Sequence, residues 1–214
     1  VQAFLAKDGW QVPLVSPWRD MTLGGIVATN LNSPQRMRYG AVRDVMLCAQ
    51  VALADGRLVR AGRVVVKNVA GYDLPKVFVG SQGTLGLLTE VTFKLVSLPR
   101  AKQTLLVPVD DFKRGLAWGS QLLQVALTAS AIVLAKGISA PGISTPYVLA
   151  YTAEGFPLDV DSEINQVREL LAKANAPQPI QIVSLSGTEL WASLFAQATP
   201  QSMLVRAGVA PKDT

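Results

Sequence analysis

The sequence predicts an α+β chain in two parts, divided near Pro99. Three observations lead there. After Pro99 the strand and helix patterns follow the order β-α-β-β-α-β, the ferredoxin-like split βαβ arrangement. Before it, the apolar run Asp44–Ala54 and the segment Arg57–Ala61 flank Asp55-Gly56, the signature of a β-hairpin. A composition of 50% hydrophobic and 16% charged residues over 214 positions supplies a sizeable core and excludes a disordered chain.

The elements follow in order. Val1–Asp8 reads as the end of a helix closed by Gly9, and because a chain rarely starts inside an element, upstream sequence is expected. The hairpin comes next. Asp73–Val79 reads as a short helix, and Thr89–Val96 places Val91, Phe93 and Leu95 on one side of a half-buried strand. Pro99 ends this first domain, residues 1–99. In the second, residues 100–214, Gln103–Val109 reads as a strand, and Asp110 caps a helix reaching Val125. Ala129–Ala135 and Tyr147–Ala153 read as strands around the Gly/Pro/Ser loop Lys136–Pro146. Asp161 opens a helix with Ile164, Val167, Leu170, Leu171 and Ala174 on one face, and Glu169 and Lys173 stand at i,i+4. Ile180–Leu185 is the last strand, Thr188–Phe195 starts a further helix, and Lys212-Asp213-Thr214 is a polar tail with no closing element. Both helices of the split βαβ unit are expected on one face of an antiparallel sheet.

Composition narrows the chemistry. There is no histidine, which removes the usual general base near neutral pH, the commonest metal ligand and a histidyl attachment point for a cofactor. Triad hydrolysis and zinc sites built on histidine are therefore excluded within this chain. Cys48 is the one cysteine, so no internal disulfide forms, and its apolar setting reads as a small buried hydrophobe. Leu122–Ala135, the most apolar stretch, is too short to span a bilayer and contains Gln124, Thr128 and Ser130. A cytoplasmic chain is expected. Residues 1–100 carry 12 Lys and Arg against 6 Asp and Glu, whereas residues 101–214 carry 8 against 9. The first part is thus the better place for an anionic ligand; nucleic acid is disfavoured because the basic residues are scattered and not interleaved with aromatics.

Two glycine-bearing stretches carry the ligand signal. In Thr22-Leu23-Gly24-Gly25-Ile26-Val27-Ala28-Thr29-Asn30, small residues allow close backbone approach, and a helix starting there aims free N–H groups at an anion. A tight helix entry with small packing residues explains the same pattern. Gly80-Ser81-Gln82-Gly83-Thr84-Leu85-Gly86 is neither a Walker A loop, lacking Gly-Lys-Ser/Thr, nor a Rossmann fingerprint, lacking Gly-x-Gly after a strand. Glycine every third residue marks a backbone-exposing turn, with or without a ligand.

Taken in order with Tyr39-Gly40, Ala54-Asp55-Gly56 and Lys67-Asn68-Val69-Ala70-Gly71-Tyr72-Asp73-Leu74, these stretches resemble the second half of the FAD-binding domain of the vanillyl-alcohol-oxidase (PCMH-type) flavoprotein superfamily. Lys67–Leu74 and the Trp191 region are most similar to the FAD-binding subunits of bacterial glycolate oxidases (glycolate dehydrogenases). The resemblance is strong over Thr22–Pro99 and weak after it. It implies the second half of a PCMH-type domain followed by a partial ferredoxin-like cap. It also implies FAD, held non-covalently within this chain. Thr22, Leu23, Gly24, Gly25 and Ala28 would run along the pyrophosphate, with Asn30 toward the flavin and Pro17 and Asp20 on the approach. Gly40 matches the intervening turn, and Gly83, Leu87 and Leu88 match the turn and strand that close over the cofactor. Tyr72 and Asp73 would hold the turn or touch substrate. Arg36, Arg38 and Arg43 either offset phosphate charge or form a solvated face.

The family's first phosphate-binding loop would lie upstream and the rest of the cap downstream. No catalytic acid or base is assigned, since the metal and base histidines belong to the other flavin subunit of such assemblies. The implied function is an FAD-binding subunit of a 2-hydroxy-acid (glycolate) dehydrogenase. Its implied partners are a second flavin subunit and an iron–sulfur subunit, with membrane association only through them. A non-catalytic structural subunit, or a self-sufficient oxidase of another alcohol or sugar, are the alternatives.

Overall fold

In the computed structural model, residues 1–65, 72–138, 142–183 and 185–196 are described. They fall into two compact units, Val1–Pro99 and Arg100–Thr214.

In the first unit, α1 (Gln2–Leu5) runs into a 3-10 turn, Ala6–Asp8, and stops at Gly9, whose φ of 77° is left-handed. β1 (Trp10–Gln11) follows. α2 (Leu23–Thr29) begins where Thr22 Oγ1 accepts the Gly25 N–H at 3.0 Å, and ends at Asn30 with φ 51°. It buries Ile26 and Val27. α3 (Arg36–Tyr39) leads through Gly40 to α4 (Val42–Val45), then β2 (Met46–Ala52) and β3 (Leu58–Gly62). The Asp55-Gly56 hairpin is present as read, closed by Leu53 N–H to Arg57 O at 2.9 Å. Its first strand is shorter than expected: Asp44 and Val45 lie in α4, because Asp44 Oδ2 accepts the Ala41 N–H at 2.7 Å and secures a helical turn. After the 3-10 turn Leu74–Phe78 come β4 (Leu87–Phe93) and β5 (Val96–Ser97).

β2 is central in an antiparallel sheet of order β3-β2-β4, and β1 pairs with β5. The core joins Val27, Val42, Val45, Met46 and Val51, with Val91 and Phe93 packed against it. Leu95 does not share their side. It falls between the two strands and is 39% exposed, because the ladder breaks after Phe93. Of the motif Lys67–Leu74, residues 67–71 lie outside the described residues.

The second unit contains β6 (Ala101–Val109), α5 (Phe112–Leu122), β7 (Ala129–Lys136), β8 (Tyr147–Gly155), α6 (Pro157–Lys173), β9 (Ile180–Ile182) and α7 (Gly187–Ala196). Its sheet has the order β7-β8-β6-β9 and is antiparallel throughout, with Leu106 opposite Ile180. The two strands read as Gln103–Val109 and Ile180–Leu185 therefore share one sheet, the ferredoxin-like order. α5 and α6 cover one face: Trp118, Leu122, Val160, Ile164, Val167 and Leu171 pack on Leu105, Val107, Leu149 and Tyr151.

The opposite face is covered by the further helix that the sequence reading left unplaced. This is α7, with Leu190 packing on Leu106, Ala135, Val148 and Ala150. With both faces covered, β6 reads as a continuous apolar run instead of an alternation.

Boundaries moved where a nearby group caps better. Asp111, not Asp110, accepts the Arg114 N–H at 3.0 Å, and α5 ends at Leu122 instead of Val125. Asp161 lies inside α6, which starts at Pro157, a residue preset for a first helical turn. Lys136 belongs to β7, and β9 stops at Ile182. The polar tail lies outside the described residues.

Candidate functional site

The two glycine stretches of the first unit meet. The carbonyls at the end of α2 receive the second stretch: Gly80 N–H donates to Val27 O at 2.9 Å and Gln82 N–H to Ala28 O at 2.8 Å. At the other end of α2, a Cβ on Gly24 would stand 3.7 Å from Leu88 Cβ. Leu23, Met21 and Leu88 pack on the same core. The junction demands unusual backbone. Asn30 and Gln82 are non-glycine residues at φ 51° and 53°, and Gly83 has φ 75°. Gly86 fits for a different reason: a side chain there would meet Val51 Cγ1 at 2.6 Å and Ala52 O at 2.8 Å.

The donor set suits a polyanionic, extended ligand. Leu23 and Gly24 N–H groups have no acceptor among the described residues, because the first turn of a helix leaves them free. Gly24 is glycine without packing requiring it, since its missing Cβ would make only ordinary contacts. Gly25 is tighter, with Thr22 Oγ1 at 3.1 Å from the position of a Cβ. Around Gly83 nothing lies within 4 Å of such an atom.

Other expected residues serve local structure or face solvent. Gly40 serves the α3–α4 corner, where a Cβ would approach Asp44 Cβ to 2.8 Å and φ is 87°. Leu87 is 70% exposed and faces away from Leu88, as strand alternation requires. Pro17 lies in a bend held by Ser16 Oγ, which accepts the Trp18 N–H at 3.1 Å, and Asp20 is exposed. Asn30 is occupied by local structure: its Oδ1 accepts from Asn32 Nδ2 at 2.9 Å. Arg36 and Arg43 are exposed and Arg38 lies over the Tyr39 ring, which is the solvated-face arrangement. Tyr72 is 92% exposed, while its carbonyl accepts the Leu74 N–H at 2.9 Å and holds the turn.

Two residues were missed. Asn32 links α2 to α4 by accepting the Val42 N–H at 2.9 Å. Lys76 Nζ donates to Met46 O at 2.5 Å and lies 3.9 Å from Asp73 Oδ2. Burial lowers the Lys76 pKa, against the opposing pull of Asp73 and Asp44. A lysine beside a proline in a short turn gives no sequence signal of either contact.

Residues 1–62, which carry α2 and the hairpin, match the family described as FAD binding domain. Over this segment the chain is similar to an FAD binding domain. It is 36% identical over 140 residues to glycolate oxidase subunit GlcD of Bacillus subtilis, covering 65% of this chain and 28% of that protein. Against glycolate oxidase subunit GlcE of Escherichia coli it is 41% identical over 107 residues, covering 49% of this chain and 31% of that protein. D-lactate dehydrogenase of Anaerostipes hadrus is 34% identical over 132 residues, 60% of this chain and 28% of that protein. The chain thus spans about three tenths of the length of these curated relatives. Alkyldihydroxyacetonephosphate synthase shares the fold at TM-score 0.69 and 19% identity, over 90% of this chain and 40% of that one. Among the described residues no helix is long and apolar enough to cross a membrane, and no cluster of three or more His, Cys, Asp or Glu is placed to hold a metal.

Proposed function

We propose that this chain is part of an FAD-binding subunit of a 2-hydroxy-acid dehydrogenase acting on glycolate, working beside a second flavin subunit and an iron–sulfur subunit. The observation that carries the reading is the meeting of α2 with Gly80–Leu88, which sets two backbone-exposing segments along one line. When bound, FAD supplies the acceptor for the hydride equivalent leaving the carbon that bears the substrate hydroxyl. The chain's own residues bind and orient. Leu23 and Gly24 offer N–H groups to phosphate, Thr22 fixes the turn that presents them, Gly25 and Gly83 keep the backbone accessible, and Leu88 backs Gly24. The sequence has no histidine. An imidazole that deprotonates the substrate would therefore come from outside these 214 residues, whose own part is to hold the flavin as an electron relay. The two glycolate oxidase subunits among the relatives favour a multi-subunit assembly.

The test is an FAD titration of the 214-residue chain by flavin fluorescence, beside intact GlcE of E. coli. Saturable binding weaker than that of GlcE is expected, since in this superfamily a further phosphate loop contributes. Losing two or three charge-assisted hydrogen bonds weakens binding by roughly three to six powers of ten. Submicromolar affinity comparable to that of GlcE would overturn this account of the phosphate site, and a purified full-length parent without flavin absorbance would favour the rival reading of a structural subunit without cofactor.

A further inference from the structure

The sheet face beneath α7 is polar at one end. Thr104, Ser130, Thr152, Glu154, Ser186 and Thr188 are all at most 6% exposed. Several of them satisfy one another. Thr104 Oγ1 and Thr152 Oγ1 lie 3.0 Å apart, Gly187 N–H donates to Thr152 Oγ1 at 2.8 Å, and Ser186 Oγ donates to Glu189 Oε2 at 2.7 Å. In the second unit, three buried side-chain atoms have no hydrogen-bond partner among the described residues: Thr128 Oγ1, Glu154 Oε1 and Thr188 Oγ1.

Backbone contacts relate these residues. Glu154 N–H donates to Thr128 O at 3.0 Å, so the two residues are neighbours across β7 and β8. Thr152 faces α7, and strand alternation puts Glu154 on the same face two residues later. Lys102 stands opposite Glu154 in the β6–β8 register, and its Nζ lies 3.6 Å from Glu189 Oε2. The first turn of α7 is therefore fixed at Thr152 through Gly187 and at Lys102 through Glu189, with Thr188 between them.

Charge within this cluster does not balance. Lys102 is matched by Glu189, while Glu154, 2% exposed, has no ion pair among the described residues. A buried carboxylate demands a compensating charge or donor. At the start of α7, Ser186 N–H donates to Glu189 Oε2 at 2.6 Å, Gly187 N–H to Thr152 Oγ1 at 2.8 Å and Glu189 N–H to Ser186 Oγ at 3.2 Å, and the Thr188 N–H has no acceptor among the described residues. Beside that N–H stand two hydroxyls and one carboxylate, whose oxygens are the ligand type hard cations take. One uncompensated carboxylate calls for one positive charge.

We propose that Thr128, Glu154 and Thr188 bind a monovalent metal cation, Na+ or K+, which ties the first turn of α7 to β7 and β8. The inference stands apart from the flavin reading. It is tested by thermal unfolding of the 214-residue chain, without FAD, in NaCl, KCl and choline chloride at equal ionic strength. At ten times the dissociation constant, an alkali cation should raise the melting temperature by roughly 3 to 6 °C over choline. Glu154→Gln should abolish that difference. The milder Thr128→Val should move the half-effective cation concentration upward at least threefold, and it keeps the test open if Glu154→Gln does not fold. Lys102→Met should leave the cation-specific rise in place. Equal melting in all three salts overturns the proposal, because a proton, water or Lys102 then compensates Glu154. So does a cation-specific rise that survives Glu154→Gln or is unchanged by Thr128→Val.

Discussion

The two units are stabilised in different ways. In the second, a four-stranded sheet is covered on both faces, and Leu105, Leu106, Val107, Leu149 and Tyr151 have essentially no exposure. In the first, the three-stranded sheet is covered on one side. Across the other lies the row Leu58, Ala52 and Leu87, with Leu58 63% and Leu87 70% exposed. The first unit depends on close backbone approaches that only glycine permits, at Gly40, Gly62 and Gly86. The tight glycines of the second unit, Gly115, Gly142 and Gly187, meet side chains, whereas Gly62 and Gly86 in the first meet backbone atoms as well. Substitutions in the two should therefore fail for different reasons.

The largest effect is expected in the second unit, at a buried polar group. Glu163 is 3% exposed and accepts three hydrogen bonds, from Tyr151 OH at 2.6 Å, Leu127 N–H at 3.0 Å and Thr128 N–H at 2.5 Å. Glu163→Ala strands all three donors and should cost about 3–5 kcal/mol in urea unfolding. A loss below about 1 kcal/mol would mean that this unit tolerates polar defects, and the contrast with the first unit would weaken.

Gly86→Ala is the matching experiment in the first unit. A methyl group there collides with Val51 and Ala52 at φ 151°, so about 2 kcal/mol or more should be lost, with β4 detaching from β2. Hydrogen exchange at Leu88 and Val91 would report the detachment.

Gly24→Ala sharpens the comparison by separating fold from site. Its Cβ has room, and alanine is the better helix former, so stability should change by no more than about 1 kcal/mol, in the favourable direction. FAD affinity should nonetheless fall about tenfold, about 1.4 kcal/mol, as the methyl group keeps the ligand off the backbone. Unchanged affinity would remove Gly24 from the proposed site.

The smallest effect is alkaline. Burial, and then the Glu163 carboxylate, raise the Tyr151 pKa well above the ordinary tyrosine value. The stability due to the buried neutral phenol is complete below about pH 10, where unfolded tyrosine titrates, and is lost as pH rises from there through the folded pKa. Tyr151→Phe should flatten that decline in a pH series of melting curves. A decline as steep as in the native chain would exclude Tyr151 as its source.

Much of the second unit was legible locally. Apolar spacing at 3.6 residues over Ile164, Val167 and Leu171 names α6, and continuous apolar runs name β6 and β8. What escaped was capping, where Asp111 and Pro157 competed successfully with Asp110 and Asp161. The placement of α7 also escaped, because the pattern of one helix does not say which sheet face needs covering. In the first unit the hairpin was legible from Asp55-Gly56, whereas the α4 turn was not, since it depends on one side-chain bond from Asp44 to the Ala41 N–H.

The sequence alone determined the element types, the division near Pro99, the likeness to FAD-binding proteins and the lack of an imidazole, because these depend on residue type, spacing and motif order. Only the tertiary structure decided that α2 receives Gly80 and Gln82 on its last carbonyls, that Gly24 faces Leu88 while Leu87 turns away, and that Gly40 serves a corner. Glycine is compatible with a ligand, a turn or a close backbone crossing, since all three need the same missing Cβ. Which of them applies depends on what lies within a few ångströms of that absent atom, which is Asp44 for Gly40, Val51 and Ala52 for Gly86, and Leu88 for Gly24.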